Sequence, residues 1–197
     1  MWEELLRNIA PVHYEHLKND TGFPGVCYIS SQILATYLRE RTGEDCKIVY
    51  GTFGQNNLFH CWVEFRQYII DFTLFQFIAY KERKQFYQRM SGGELLEYAE
   101  QYQDSLIFGS NHPIRAHFKG LAVIQEEFNH LLLDGDSYDD FMSRVYSSDE
   151  FKNATWFKSK VDHLASETFG ELIDDLGYRI TKRFFSKWAI VRDAVRT

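Results

Sequence analysis

The chain has few cysteines and prolines, and it lacks long apolar runs. Its 197 residues include 3 Cys and 3 Pro. An odd number of cysteines argues against a disulfide framework and favours a reducing compartment. The longest apolar runs are too short to cross a bilayer, and the N-terminus lacks the apolar stretch and cleavage site of a secretory signal. We therefore expect no transmembrane helix, no membrane association and a cytoplasmic location.

The chain also lacks a basic stripe. Its formal net charge is -6 at pH 7, so a phosphate backbone is not the obvious partner and nucleic-acid binding is not expected. The composition is 45% hydrophobic, which is enough apolar material to bury one substantial core or two small ones.

Metal-binding patterns are missing as well. Cys46 and Cys61 do not have the close paired spacing of zinc ligands. The acidic segment 134–140 begins like a calcium loop but lacks the glycine and glutamate positions of an EF-hand, so it fits a solvated turn at a helix start. We expect no metal and no cofactor. Cys46 and Cys61 are expected to be inert core thiols.

Apolar periodicity predicts an α+β fold. After the turn-rich segment 21–25, apolar residues recur at helical spacing from Val26 or Cys27 up to Arg41, and Gly43 is expected to end this helix. Alternation with a period of two then predicts strands over 47–52, 59–66 and 68–73. A helix followed by three strands indicates an α+β core over residues 1–80.

Beyond residue 80 the pattern predicts a helical extension over 81–197 that packs on the core. Helices are expected over 95–102, 114–133, 138–146, 157–176 and 180–195. Their acidic and aromatic mix suggests a cover over a cleft or a docking face for a protein partner. The three prolines are expected before or between the periodic segments. His13 and His16 belong to no ligand motif and are expected at the surface.

Cys27 has the sequence context of an activated thiol. The thiolate is the nucleophilic form of cysteine, and the unpaired N–H groups of a helix N-terminus stabilise its negative charge. Cys27 is predicted at such a position. The same N–H groups, above all that of Cys27, are candidates to receive the oxyanion of a tetrahedral intermediate.

A thiol of this kind needs a general base and a group that orients the base. His60 and Asp71 are the candidates. If the second and third strands form a hairpin closed by Arg66 and Gln67, then Phe65 pairs with Tyr68, and His60 and Asp71 share one face on a diagonal. A turn longer by one residue would send Asp71 to the other face, where Cys61 is expected.

Four segments carry a resemblance to a known family. They are GVC at 25–27, VYG at 49–51, HCWVE at 60–64 and IDFT at 70–73. In order and spacing they resemble the transglutaminase-like superfamily, within the wider papain-like fold. The resemblance covers roughly residues 20–80. It implies Cys27 as nucleophile, His60 as base and acid, and Asp71 as orienting carboxylate, with Tyr28 and Trp62 beside the substrate cleft.

Three functions are consistent with these residues. The first is a cysteine hydrolase, a peptidase or amidase that acts on a protein or peptide through a thioester acyl-enzyme. The second is a transglutaminase or another acyltransferase with the same triad. The third is a catalytically inactive module that binds a protein partner through its helical half. Tyr28 and Phe72 depart from the residues that many transglutaminases carry at these places, which disfavours transglutamination.

Overall fold

The computed structural model describes residues 2–20, 26–55, 57–79, 87–103, 105–124, 128–149 and 151. All of them lie in one compact unit, Met1–Asn153. The helices predicted over 157–176 and 180–195 lie outside the described residues.

The described part begins with a helix that the sequence did not predict. Helix α1 spans Trp2–Leu17 and contains Pro11, so the expectation that every proline lies outside a periodic segment is wrong. A proline inside a helix removes a hydrogen bond and disfavours the helix. Burial compensates for this, because one side of α1 lies in the core. Its buried residues are Ile9, Ala10, His13, Tyr14 and Leu17.

Helix α2 spans Cys27–Thr42 and confirms the predicted first helix. Gly43 ends it in a left-handed conformation with φ 64°, and its N–H donates to the Arg39 carbonyl at 2.8 Å. Glycine adopts this conformation without the cost that a Cβ imposes. Residues 28–38 are all buried, so α2 is an interior helix that fixes Cys27 at one end.

Five strands form one antiparallel sheet, and the fold is α+β as predicted. They are β1 (Cys46–Phe53), β2 (Leu58–Phe65), β3 (Tyr68–Ile70), β4 (Ile107–Phe108) and β5 (Phe118–Ile124). Their order across the sheet is β4-β3-β2-β1-β5. Helix α2 packs on β1 and β2.

The β2–β3 hairpin has the predicted register. Phe65 pairs with Tyr68 and Val63 pairs with Ile70, so Arg66 and Gln67 close the turn. Arg66 has φ 54°, a left-handed conformation that is unfavourable for a residue with a side chain. Pairing of the buried strands therefore determines this turn, and the turn residues accommodate it.

The helix predicted over 114–133 is wrong. Pro113–His117 is a 3-10 helix, Phe118–Ile124 is strand β5, and Asn129–Leu131 is a second 3-10 turn. β5 pairs with β1 along its whole length, and this long-range pairing overrides the local helical pattern. Because β4 and β5 join β1–β3, one sheet crosses the predicted boundary at residue 80.

Three further helices complete the described part. A short helix α3 spans Gln76–Ala79. Helices α4 (Gly92–Gln103) and α5 (Tyr138–Ser147) confirm the predictions for 95–102 and 138–146. A capping box at Ser137 and Asp140 starts α5, which explains part of the acidic segment. None of the helices in the described residues is long and apolar enough to cross a membrane.

His13 lies inside the molecule, and the expectation of a surface position is wrong for this residue. It is fully buried. Its Nδ1 lies 2.5 Å from the Tyr138 hydroxyl, and its Nε2 lies 2.7 Å from the Ser30 hydroxyl. Helix α1 packs against α5, and this contact encloses the imidazole. His16, one turn later, is partly exposed and forms an ion pair with Asp139 at 2.8 Å.

Candidate active site

Cys27 is the first residue of helix α2, where the sequence predicts it. The residue before it, Val26, offers no side-chain cap, and no acidic side chain lies in the first turn. The first N–H groups of a helix have no partner within the helix. The field of these groups favours a thiolate at Cys27. Cys27 is partly exposed as a residue.

His60 and Asp71 make the predicted contact. His60 lies on β2, and Asp71 directly follows β3. His60 Nε2 hydrogen-bonds Asp71 Oδ2. The two residues are 1% and 3% exposed, so water does not compete for this bond. The two-residue hairpin turn is what brings them onto one face of the sheet, as the register requires.

The carboxylate of Asp71 is held on its other side. Its Oδ1 accepts hydrogen bonds from the Thr73 N–H at 2.9 Å and from the Thr73 hydroxyl at 3.1 Å. The N–H of Asp71 itself donates to the Leu106 carbonyl at 2.9 Å. These bonds leave Oδ2 directed at His60, so the carboxylate can fix the orientation of the imidazole.

Cys27 and His60 lie within electrostatic reach of each other. Because Nε2 meets Asp71, Nδ1 is the ring nitrogen left for proton transfer with the thiol. Gln76 Nε2 also lies 3.2 Å from Nδ1. As placed, the amide N–H of Gln76 suits a neutral Nδ1 with the ring proton on Nε2, so it acts against the imidazolium that Asp71 favours.

The charges of the site favour a thiolate and an imidazolium. A hydrogen bond from the Cys61 side chain, followed by the charge and hydrogen bond of His60, holds the pKa of Cys27 well below its ordinary value against the effect of burial. Burial alone would lower the pKa of His60, but the Asp71 carboxylate and then Cys27 raise it to about 10. Both shifts act in the direction of an imidazolium at His60 and a thiolate at Cys27.

Cys61 lies beside the site, and its expected role as an inert core thiol stays a prediction. It follows His60 on β2 and is 1% exposed. Burial, and after it Cys27, raise the pKa of its thiol well above the ordinary value. The alternation of side chains along β2 does separate His60 from Cys61, as predicted. Helix α2 packs on β2, and its first residue, Cys27, lies within electrostatic reach of both. Cys46, in contrast, is buried at the far end of β1.

Tyr28 and Trp62 do not line an open cleft. Their exposed fractions are 3% and 1%, so they offer a ligand little surface. Trp62 belongs to an apolar cluster with Val49 and Ile69, and its indole N–H donates to Glu64 at 3.2 Å. Its ring also covers Gly51, where an added Cβ would lie 2.5 Å from the indole. Trp62 therefore supports the strand that carries His60.

Aromatic side chains surround the imidazole of His60 on the same face. The Phe77 ring centroid lies 4.9 Å from that of His60 at an interplanar angle of 74°. Phe53 and Phe118 lie at 6.3 Å each. These rings exclude water from the base and strengthen its interaction with Asp71.

Three residues beside the site were not predicted from the sequence as part of it: Thr73, Gln76 and Cys61. The spacing of Asp71 and Thr73 is a signal that was available, because an Asp side chain often binds the backbone two residues later. No local signal places Gln76 at His60 Nδ1, since the short helix α3 follows from tertiary packing. The position of the third residue, Cys61, next to Cys27 depends on where α2 begins relative to the sheet, which the local sequence does not indicate.

Within the residues that the structure describes, no group of three or more His, Cys, Asp or Glu side chains is arranged to hold a metal ion. No family model, no curated protein and no solved structure matches this chain.

Proposed function

We propose that this protein is a cysteine hydrolase of the transglutaminase-like, papain-like type, which cleaves an amide or peptide bond through a thioester. One observation carries the proposal. The imidazole of His60 hydrogen-bonds the Asp71 carboxylate and lies within electrostatic reach of the thiol of Cys27, which stands at the N-terminus of α2. A nucleophile, a base and an orienting group are thus placed to act together.

The reaction would proceed in two stages. The thiolate of Cys27 attacks the carbonyl carbon, a C–S bond forms, and the oxyanion is received by N–H groups at the start of α2. The imidazolium of His60 gives its Nδ1 proton to the leaving nitrogen as the C–N bond breaks. In the second stage neutral His60 takes a proton from water, the hydroxide attacks the thioester, and the C–S bond breaks. Asp71 stays ionised throughout and stabilises the imidazolium.

Acyl transfer shares the first stage and differs in the acceptor. A primary amine in place of water would give a new amide. We favour hydrolysis because water is the default acceptor at a partly exposed cysteine and no described feature marks an amine-binding site. The buried His60–Asp71 pair beside Cys27 also favours an enzyme over an inactive binding module, since a module would not need it. A cytoplasmic location and a protein partner for the C-terminal residues remain part of the proposal.

The proposal is tested first by selective alkylation. Treatment with iodoacetamide at pH 6, followed by peptide mass mapping, is expected to label Cys27 at least about tenfold faster than an ordinary thiol. His60→Ala should reduce this rate, whereas Cys46→Ala should leave it unchanged. If the labelling rate of Cys27 follows a single inflection near pH 9 and does not respond to His60→Ala, the thiolate is not activated and the proposal fails.

Turnover is tested with a pool of quenched fluorescent peptides. Cys27→Ala is expected to abolish cleavage, by a factor of roughly 10³ or more, and to leave the melting temperature nearly unchanged because it removes one sulfur at a helix start. Cys46→Ala is the matched control and should retain cleavage. Addition of a primary amine distinguishes the acceptors, because only an acyltransferase would then form a new amide product and turn over faster.

A further inference from the structure

Helix α1 reaches the segment that carries the orienting carboxylate. The hydroxyl of Tyr14, near the end of α1, donates a hydrogen bond to the Phe72 carbonyl. Phe72 directly follows Asp71 in the chain. Because 58 positions separate Tyr14 from Phe72, only tertiary packing makes this contact. The proposed hydrolysis assigns no role to it.

The acceptor of this hydrogen bond belongs to a peptide group that also serves Asp71. The Phe72 carbonyl and the Thr73 N–H are parts of one planar peptide unit, and in the usual trans form they point to opposite sides. The Thr73 N–H donates to Asp71 Oδ1 at 2.9 Å. One rigid plane is therefore fixed by Tyr14 on one side and holds the carboxylate on the other.

The path of hydrogen bonds continues to the imidazole. Thr73 holds Asp71 Oδ1, and Oδ2 hydrogen-bonds His60 Nε2. A rotation of the peptide 72–73 would withdraw the Thr73 N–H from Oδ1 and turn Oδ2 away from the imidazole. A hydrogen bond to a peptide carbonyl also strengthens the N–H of the same peptide as a donor. Tyr14 is thus linked to His60 by three hydrogen bonds in series.

The hydroxyl of Tyr14 is held in place and stays protonated. Tyr14 is fully buried, and its ring packs against those of Phe72 and Phe75 at centroid distances of 6.2 and 6.0 Å. Burial, and after it the charge of Asp71, raise the pKa of the hydroxyl well above its ordinary value. The group therefore remains a hydrogen-bond donor at every pH at which the fold is stable.

The residue before Tyr14 ties α1 to the helix of the nucleophile. His13 Nε2 lies 2.7 Å from the Ser30 hydroxyl, and the Ser30 N–H donates to the Val26 carbonyl at 2.9 Å in the first turn of α2. The His13 ring also meets the Phe72 ring edge-on at 5.0 Å. Two neighbouring residues of α1 thus contact both the start of α2 and the segment after β3, so α1 fixes these two parts of the site relative to each other.

We propose that Tyr14 is a positioning residue of the candidate active site, whose hydroxyl orients the Asp71 carboxylate toward His60 through the peptide 72–73. This role rests on the proposed function, because the orientation of His60 matters for turnover only if the site cleaves amides. The hydrogen-bond path itself does not depend on the substrate, so it can be tested without turnover.

Tyr14→Phe removes the hydroxyl and keeps the ring. The pKa of His60 is measured by nitrogen NMR in the full-length protein labelled at histidine, and we expect it to fall by about 0.5 or more, because the carboxylate is less well aimed. The kcat for peptide cleavage should fall about 3- to 10-fold with KM nearly unchanged. The alkaline limb of the pH–rate profile should move to lower pH.

Tyr87→Phe is the matched control. Tyr87 is also fully buried, its ring packs against the same Phe75 at 6.1 Å, and its hydroxyl lies 3.4 Å from that of Tyr98. Loss of this hydroxyl should change neither the pKa of His60 nor kcat. An equal response to Tyr87→Phe and Tyr14→Phe would show that general loosening of the core causes the effect, and it would overturn the proposal.

A second background tests whether Tyr14 acts through the carboxylate. In Asp71→Asn, Tyr14→Phe should leave the nitrogen chemical shifts and the pKa of His60 unchanged, because the group that transmits the effect is gone. The same fall in both backgrounds would overturn the proposal. So would a His60 pKa that Tyr14→Phe does not alter in the otherwise wild-type protein.

If Tyr14→Phe does not fold, replacement of Tyr14 by meta-fluorotyrosine through nonsense suppression takes its place. The fluorinated ring has nearly the same shape, and its more acidic hydroxyl is a stronger donor, so the pKa of His60 is expected to rise. An unchanged or lower pKa would contradict the role of Tyr14.

Failure of this role and failure of the hydrolase give different results. A His60 pKa that responds to Tyr14→Phe in a protein that cleaves no peptide would disprove the hydrolase and leave the hydrogen-bond path intact. Equal cleavage by wild type and Tyr14→Phe would disprove the role of Tyr14 and leave the hydrolase intact.

Discussion

Two buried histidines, His60 and His13, lie near the first turn of α2, and their pKa values are shifted in opposite directions. His60 meets Asp71 and Cys27, and its pKa is raised to about 10 in spite of burial. His13 meets the hydroxyls of Tyr138 and Ser30, and burial, with a smaller effect of a neighbouring histidine, lowers its pKa to about 3. Both rings are buried. The difference arises because a carboxylate stabilises the imidazolium, whereas hydroxyl groups do not offset its desolvation.

The two sites respond to pH in opposite directions. Between pH 6.5 and about 3 the unfolded chain binds a proton at His13 that the folded protein does not, so stability falls as the pH falls. Between 6.5 and about 10 the folded protein keeps a proton at His60 that the unfolded chain releases, so this contribution is lost as the pH rises.

Cys27 offsets the effect of His60 over part of this range. Its lowered pKa means that the folded protein lacks a proton that the unfolded chain keeps up to the ordinary thiol value of 9.0. Below pH 9.0 the loss at Cys27 therefore opposes the gain at His60, because the proton has only moved from one group to the other. The catalytic pair should therefore contribute little pH dependence in this window.

The largest effect is expected from removal of the Asp71 carboxylate, the charge that makes the pKa of His60 differ from that of His13. Asp71→Asn should lower the pKa of His60 toward that of a buried neutral ring and reduce peptide cleavage by roughly 10²–10⁴. The rate of Cys27 alkylation at pH 6 should fall with it. Asp139→Asn is the matched control, because it breaks an exposed histidine–carboxylate pair at His16. If Asp71→Asn and Asp139→Asn had equal effects, the buried His60–Asp71 pair would contribute nothing to catalysis.

The next effect concerns stability in acid. Wild type should lose up to about 1.4 kcal/mol per pH unit through His13 as the pH falls below 6.5. His13→Gln should lack this component, although lost hydrogen bonds should destabilise it by about 1–3 kcal/mol at neutral pH. Urea unfolding between pH 7.5 and 4.5 measures both, and His130→Gln, at an exposed position, should keep the wild-type slope. An unchanged slope in His13→Gln would contradict the lowered pKa.

A smaller effect should appear when Cys27 no longer balances His60. In Cys27→Ala the proton on His60 is uncompensated, so stability should fall by about 1–2 kcal/mol between pH 7 and 8.5, whereas wild type should stay level relative to it. Chemical denaturation over this range is the measurement. Cys46→Ala should retain the wild-type pH profile, whatever its overall stability. A level profile in Cys27→Ala would mean that Asp71 alone does not raise the pKa of His60.

The smallest effect is expected at Gln76. Its amide donates to the lone pair of His60 Nδ1 and so favours the neutral ring. Gln76→Leu should reduce cleavage about 3- to 10-fold, the worth of one hydrogen bond, and should shift the alkaline limb of the pH–rate profile upward. Gln67→Leu, at an exposed turn position, should change neither. A downward shift in Gln76→Leu would contradict this role.

The β2–β3 hairpin shows how much of the candidate site could be predicted from the sequence. Alternation of apolar residues predicted the register in which Val63 faces Ile70, and through it the meeting of His60 with Asp71. The turn residues carried no such signal, because Arg66 adopts positive φ at a cost that only strand pairing offsets. Local pattern predicted the pairing here since a hairpin joins neighbours in the chain.

The sequence pattern predicted a helix in place of a strand where the pairing strand lies far away in the chain. The segment Phe118–Ile124 reads as part of a helix, yet it pairs with β1 some seventy residues earlier. His13 and Tyr138 meet across 125 positions. Periodicity within a window of residues carries no information about such partners, so neither β5 nor the burial of His13 could be predicted.

By itself the sequence determined the α+β class, helix α2 with Cys27 at its start, and the hairpin that joins His60 to Asp71, because each depends on residues close together in the chain. Only the tertiary structure decided that β5 completes the sheet, that His13 is enclosed, and that Gln76 and Cys61 adjoin the reactive groups. These features arise from packing between distant segments, where burial and long-range pairing outweigh local preference.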